Sequence, residues 1–418
     1  MSTSRTLLLR IAAAAALLVF SAWSSAAQEA APPNGPAAEP ATAAGDPPAA
    51  PAEPAAPAAQ AAQPDTAAVN GFRVGGFTFK PGGRIKLDVI RDFKPIGNED
   101  SFDTRTIPLD GSEGTNSNLI AKETRLNIDI RGPAEGHELR MFIEGDFYGS
   151  GTTFRLRHAY GVWRGLLAGQ TWSTFVDEDN LPRTIDFEAP TAFAQIRLAQ
   201  LRYTKTFGSF IWAAAVEDNK SAIIVPDNIP GQAEFPAPNF ATRFRYTRSN
   251  GHIQASAFTG ASRFRPSAPP QDPDTVALWG TALSINFTTW GRDTAYGVLT
   301  YGPGVGGYRS GITAVPDEIG RLQAVPVSAY MAGYEHFWAE KWSSNAVASS
   351  GFVPEEPFYT SDLNRQLDYL SANLLYWFLG DRAWMGVEFL YGKREVFGPG
   401  PNSGIAHRLQ YGVRFNLP

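Results

Sequence analysis

From Gly71 onward the chain alternates apolar and polar residues with period two. Leu126, Ile128 and Ile130 alternate with Arg125, Asn127, Asp129 and Arg131. Phe154 and Leu156 alternate with Arg155 and Arg157, and Leu201 and Tyr203 with Gln200, Arg202 and Thr204. Phe244 and Tyr246 alternate with Arg243 and Arg245, and Leu409, Tyr411, Val413 and Phe415 with Arg408, Gln410, Gly412 and Arg414. Successive side chains of a strand point to opposite faces, so this pattern predicts strands with one apolar and one polar face. A soluble sandwich hides the apolar face inside; a transmembrane barrel turns it outward to lipid and keeps the polar face in its lumen. The polar faces here are rich in Arg, which a protein core does not accept in such number. Aromatic residues stand near segment ends (Trp163, Trp172, Phe207, Trp290, Trp338, Trp342, Trp377 and Trp384), matching the interfacial girdles of membrane barrels.

The connections alternate in length. Short turns are expected near Gly132–His137, Arg164-Gly165, Phe207-Gly208, Ser249–Gly251, Thr289–Arg292, Ala339–Lys341 and Gly380–Ala383. Longer polar loops are expected near Arg91–Asn118, Gly149–Thr152, Phe175–Ile196, Asp218–Asn239, Phe264–Asp274, Pro303–Val325, Pro354–Asn364 and Phe397–Gly404. Seven turns and eight loops join 16 strands. The fold class is therefore all-β: a 16-stranded antiparallel transmembrane barrel over residues 71–418. An even strand number puts both chain ends on one side of the membrane.

Two segments precede the barrel. Residues 1–27 read as a secretory signal, with Arg5 and Arg10 before the apolar run Ile11–Phe20 and small residues at Ser25-Ala26-Ala27. Residues 28–70 read as an Ala/Pro-rich periplasmic linker; of the 41 residues from Gln28 to Ala68, 18 are Ala and 10 are Pro. Repeated Pro prevents a long helix, so a disordered, extended tether is expected, solvated or reaching towards the cell wall. It carries five acids (Glu29, Glu39, Asp46, Glu53 and Asp65) and no basic residue. The absence of Cys excludes disulfides and thiolate metal sites, and a formal net charge of −5 gives no case for nucleic-acid binding.

The sequence resembles the DcaP-like family of Gram-negative outer-membrane porins. The resemblance rests on GGRIKLDVIRDF (Gly82–Phe93), IEGDFYG (Ile143–Gly149), RHAYGVWRGLLAGQTWSTF (Arg157–Phe175), PRTIDFEAP (Pro182–Pro190) with RLAQLRYT (Arg197–Thr204), and YGKREVFG (Tyr391–Gly398) with RLQYGVRF (Arg408–Phe415). It implies a homotrimer in the outer membrane, in contact with its lipid, that takes up small anionic solutes, with dicarboxylates as the named class. Two features depart from the family. The Pro/Ala tether stands where some members carry a coiled coil, and the chain ends Phe415-Asn416-Leu417-Pro418 rather than on an aromatic residue.

A porin performs no bond chemistry, so no catalytic residue, cofactor or metal is expected; its function resides in charges at a constriction. Arg numbers 28 and Lys only 8, and Arg grips carboxylates bidentately. The alternation places Arg84, Arg125, Arg155, Arg157, Arg202, Arg243 and Arg245 on lumen faces, as candidate pore-lining and substrate-binding residues. The bland alternative is that each simply pairs with a lumen acid such as Asp88, Asp129, Glu144, Asp146 or Glu388. The third long loop, Phe175–Ile196, is expected to fold inward and narrow the pore, as it does in 16-stranded porins. It contains Asp177, Glu178, Asp179, Arg183, Asp186 and Glu188, so an acidic loop opposite an Arg wall sets up a transverse field. An exposed acidic loop, or oxygen ligands for Ca²⁺ at Asp177-Glu178-Asp179, are the alternatives. An outer-membrane barrel enzyme or a structural anchor without open-channel activity are the competing functions.

Overall fold

The computed structural model describes residues 71–417, apart from 225–229, 268–272, 310, 318, 320 and 362. The export signal expected over 1–27 and the tether expected over 28–70 lie outside the described residues. Sixteen long strands follow in chain order: β1 (Phe77–Asp92), β2 (in two stretches, Asn116–Ile120 and Arg125–Ala134), β3 (His137–Asp146), β4 (Arg155–Trp163), β5 (Leu166–Trp172), β6 (Arg197–Phe207), β7 (Phe210–Glu217), β8 (Asn239–Arg248), β9 (Gly251–Pro266), β10 (Asp274–Thr288), β11 (Thr294–Pro303), β12 (Pro326–Ala339), β13 (Trp342–Phe352), β14 (Asn364–Phe378), β15 (Ala383–Val396) and β16 (Ser403–Asn416). Each pairs antiparallel with its sequence neighbours, and β16 closes on β1 from Asn416 opposite Arg84 to Arg408 opposite Asp92. Phe415 lies within this closing strand, opposite Ile85 and Ala383. Closure leaves no unpaired edge among these strands.

The seven short turns and eight long loops fall where the alternation places them. In the turns after β2 and β4, Glu135-Gly136 (φ 49° and 77°) and Arg164-Gly165 (φ 53° and 83°) are both left-handed in succession. That is the turn geometry whose twist matches a two-residue hairpin, and glycine at the second position removes its cost. At the loop end, Ala222–Ile223, Ile312–Pro316 and Leu322–Ala324 form a small sheet that ties the fourth long loop to the sixth.

The two faces of each strand separate as expected for a membrane barrel. On β1, Ile85, Leu87 and Val89 face out at 55 %, 46 % and 39 % exposure, while Lys86, Asp88 and Ile90 face in at 1 % each. On β8, Phe240 and Phe244 face out, and Arg243 and Arg245 face in. One strand changes phase. The β3–β4 register shifts so that Glu144 opposes His158 and Gly145 opposes Leu156, leaving Arg157 as a bulge. Arg157 and His158 are adjacent, yet both are buried. The carbonyls of Leu156 and Arg157 accept from Gln170 Nε2 at 3.4 and 3.2 Å. Bulges re-aim side chains in this way.

Three of the aromatics expected in the girdles point inward instead. Trp172, Trp377 and Trp384 are buried at 3 %, 5 % and 2 % exposure. Trp377 and Trp384 form, with Leu375, an apolar seat for Ile185 of the third long loop. Trp172 packs in a cluster with Val176, Leu181 and Phe193 of the same loop. A loop that enters the barrel brings apolar residues of its own, and these need apolar partners on the wall. Trp163, Phe207, Trp290, Trp338 and Trp342 remain on the outside.

Gly169 on β5 sits at φ 131°, and a Cβ there would lie 2.2 Å from the Ala159 carbonyl oxygen and 2.6 Å from the Tyr160 Cα. Gly169→Ala is therefore expected to cost about 1–3 kcal/mol. The check is a lowered midpoint for unfolding of the purified barrel in detergent, read by the heat-shifted band on a gel.

Candidate functional site

The lumen is built by inward residues of the wall and by the third long loop. Every residue from Ser173 to Ile196 is buried except the half-buried Asp179, Arg183 and Ala194. The loop follows the inside of the wall strand by strand. Arg245 on β8 donates to Asp177 at 2.6 Å and also to Asp179. His252 on β9 meets Asp177 at 2.8 Å, and the Ser284 hydroxyl on β10 donates to it as well. Asn180 Nδ2 donates to the Gly297 carbonyl of β11 at 2.7 Å. Arg183 pairs with Glu335 of β12 at 2.9 Å, and its carbonyl accepts from Asn373 of β14 at 2.8 Å. The backbone N–H groups of Ile185 and Asp186 donate to one Glu388 oxygen on β15, each at 2.7 Å. Asp186 pairs with Arg408 of β16 at 3.2 Å, and Lys86 of β1 donates to the Ile185 carbonyl. The Phe187 ring then stacks on Tyr148 of the second long loop, 3.5 Å between centroids.

The loop acids are not equivalent. Burial works against the charged Asp177, but the His252 hydrogen bond and the Arg245 charge outweigh it and hold its carboxyl at about 2. Burial wins at Glu178, despite Arg243, and at Asp186, despite Arg408, and both carboxyls are pushed up. Burial and the neighbouring Asp103 also push Glu188 up. Glu188 lies 3.7 Å from Arg309 and 3.9 Å from Arg105, in the sixth and first long loops.

The expected opposition of an acidic loop and a distant Arg wall thus takes a different form. Asp177, Asp179 and Asp186 are in direct contact with wall arginines, because desolvated charges must pair where they are buried. The oxygen atoms of Asp177 and Asp179 and a nitrogen of His252 lie within 4.8 Å of one another, a spacing open to a cation. The Arg245 guanidinium already spans both carboxylates, so the position a metal ion would take holds a side-chain cation.

The seven candidate arginines fall into two groups. Arg84 pairs with Glu123 at 2.7 Å, Arg155 with Asp146 at 2.8 Å, and Arg157 with both Glu144 and Asp146 at 2.9 Å. Arg125 lies 3.9 Å from Glu123 and from Glu144, and Arg245 is held by the loop. Arg202 and Arg243 differ. Among the described residues no carboxylate oxygen lies within 4.0 Å of either guanidinium, and neither Nε has a hydrogen-bond partner. Among the described residues their hydrogen bonds are long, at 3.5 Å, from Arg202 to the carbonyl of Trp172 and from Arg243 to that of Val176. They stand on either side of β7, where Ala215 opposes Arg202 and Ala213 opposes Arg243. Both alanines face inward and are buried, as are Arg202 and Arg243 at 7 % and 6 % exposure, so the strand between the two cations offers them no acid.

Several site residues escaped the sequence reading. Lys86 lies on the same face as Arg84 and Asp88, and the alternation alone finds it. Glu123 falls between the two stretches of β2, while Arg105 and Arg309 come from long loops, where no period signals direction.

The chain belongs to the DcaP outer membrane protein family, whose match covers residues 74–417. The crystal structure of the outer membrane channel DcaP of Acinetobacter baumannii is similar, at 20 % identity and a TM-score of 0.73, over 83 % of this chain and 99 % of that one. An anion-selective porin from Comamonas acidovorans is similar at 11 % identity and a TM-score of 0.55, over 82 % and 100 % of the two chains. The trimer form of OmpT of Vibrio cholerae is similar at 9 % identity and a TM-score of 0.50, over 82 % and 100 %. No curated protein sequence matches the chain. Family and architecture place the protein in the outer membrane as a 16-stranded barrel of the porin fold; barrels of this kind carry their short turns at the periplasmic end.

The contacts of Asp177 yield a test. A carboxyl held low contributes stability that is fully present above its unfolded value of about 3.9 and is lost as pH falls through about 2. Single-channel noise of the wild type is therefore expected to be unchanged between pH 8 and pH 5 as far as the Asp177 carboxyl sets it. Asp177→Asn leaves Arg245 and His252 without their shared acid and is expected to raise closing and flicker events several-fold at pH 7.

Proposed function

We propose that this porin admits small hydrophilic solutes with a preference for organic anions, dicarboxylates among them. The observation that carries this reading is the pair Arg202 and Arg243, two inward guanidiniums with no carboxylate within 4.0 Å among the described residues. A guanidinium offers two parallel donors to a carboxylate, and two such groups flanking an alanine strand suit a solute with two carboxylates. Each cation about 4 Å from a permeating carboxylate is worth roughly 1–4 kcal/mol at an effective dielectric between that of water and about 20. That is enough to hold a solute briefly without trapping it. Glu178 is the loop acid whose field reaches both arginines, and burial raises its carboxyl although their charges oppose this. Arg84, Arg125, Arg155, Arg157 and Arg245 belong to the same positive wall in this reading, their charges largely balanced by the acids they hold. Asp177, Glu178, Asp179, Arg183, Asp186 and Glu188 make the constriction.

The barrels assemble as a homotrimer in this reading. The outer wall of β1–β3 supports it: Ile85, Leu87, Val89, Leu126 and Ile143 are aliphatic and exposed at 39–55 %. The aromatic residues of the outer wall are concentrated instead on later strands, which suits lipid there and protein here. Light scattering in mild detergent is expected to give three copies; a monomeric mass overturns this.

Planar-bilayer recordings in a salt gradient test the selectivity. The wild type is expected to show an anion-selective reversal potential, and Arg202→Ala with Arg243→Ala to move it toward zero and to weaken dicarboxylate block of the current by at least ten-fold. A cation-selective wild type, or an unchanged double variant, overturns the reading.

A further inference from the structure

The short turns at the periplasmic end differ in charge. The turns after β2, β10, β12 and β14 each place an acid at or beside the turn: Glu135 with Glu138, Asp293 beside Arg292, Glu340 beside Lys341, and Asp381 beside Arg382. Arg292 lies 3.9 Å from Asp381, so these charges offset one another. The turns after β4, β6 and β8 carry Arg164, Lys205 and Arg248, and no acid occurs from Tyr160 to Ala168, from Tyr203 to Phe210 or from Phe244 to Ile253. All three basic residues are exposed.

Each of these cations lies over an aromatic ring of its own hairpin. Arg164 is 5.3 Å from the Trp163 ring, Lys205 5.8 Å from Phe207, and Arg248 5.3 Å from Tyr246. Arg248 Nε also donates to the Tyr246 hydroxyl at 3.0 Å. The rings continue across the outer wall: Tyr203 meets Trp212 at 6.4 Å, Trp212 meets Phe244 at 6.5 Å, and Phe210 meets Tyr246 at 4.7 Å. Phe207, Phe210 and Phe244 are 57–60 % exposed, as lipid-facing side chains are. Aromatic rings of this kind sit at headgroup depth, and cations just beyond them stand at the level of the phosphates.

We propose that the periplasmic rim of β4–β8 is a docking surface for phospholipid headgroups of the inner leaflet, selective for anionic lipid. The rings take the glycerol and upper acyl region, and Arg164, Lys205 and Arg248 take the phosphates. Charge complementarity carries the assignment, because the three turns of this sector, unlike the other four short turns that join the strands, present basic residues without an acid to offset them. The aromatic faces beneath the cations fix them at the interface and favour lipid over a soluble anion.

The test uses the purified protein in detergent at low ionic strength, with phosphatidylglycerol and phosphatidylcholine as probes and native mass spectrometry as the readout. The wild type is expected to retain phosphatidylglycerol over phosphatidylcholine. At about 1 kcal/mol per basic residue, Arg164→Gln with Lys205→Gln and Arg248→Gln is expected to weaken phosphatidylglycerol binding on the order of 100-fold, and Lys205→Gln alone about five-fold. Arg292→Gln with Lys341→Gln and Arg382→Gln is expected to bind as the wild type does. Unchanged conductance in both triple variants reports an intact barrel; if the first triple fails to fold, the single variant decides. Equal lipid loss in the two triples overturns the proposal, as does no loss in the first. Lipid binding that appears only after deletion of residues 28–68 also overturns it, since the acidic segment is then the occupant.

Discussion

A backbone in hydrocarbon has no water to bond to, so every N–H and C=O in the spanning region must find a partner within the protein. Here that is met by one chain-wide ladder that closes when β16 pairs with β1. Closure then fixes the rest. The outer face must be apolar, the period-two pleat sends every second residue inward, and the enclosed face is free to be charged. The density of inward Arg, Lys, Asp and Glu on β1–β4 follows from that freedom, and so does the pairing of most charges buried there with an opposite one. Lys86 with Asp88 at 3.3 Å, and Arg408 with Asp92 at 2.7 Å, are the local result on the strands that close the barrel.

The third long loop obeys the same rule from the other side. A segment buried inside a barrel carries backbone groups that no ladder satisfies, and it finds them partners on the wall: Glu388 for two N–H groups, and Asn373 and Lys86 for two carbonyls. Its apolar residues find Trp172, Trp377 and Trp384. The loop is thus held by successive single contacts around the wall rather than by one hinge.

The strand number, the turn positions and the inward face of most arginines were legible in the sequence because the pleat has a fixed period and lipid enforces it on every strand. Legibility stopped where the period breaks. The bulge at Arg157 turns His158 inward beside it, and nothing in RHAYGVW marks the extra residue. The inward tryptophans look like girdle residues because position near a strand end is compatible with either face; only the arriving loop decides. Arg105 and Arg309, from separate loops, flank Glu188 from about 80 positions before it and about 120 after it, beyond the reach of any local pattern.

The division of the lumen arginines separates two demands that a charged pore must meet at once. A buried ion pair is costly to break but contributes little selectivity, since its cation is already neutralised by its acid. Arg245, gripped by Asp177, serves geometry in this way. A cation left without an acid contributes selectivity but costs desolvation, and it is tolerable only where solute or water reaches it. Arg202 and Arg243 are of this second kind: each opposes an inward alanine of β7, Ala215 and Ala213, which brings it neither an acid nor a hydrogen-bond acceptor. Two alanines at positions where the facing strand could have carried acids are therefore what sets Arg202 and Arg243 apart from the neighbouring Arg245, which the loop holds.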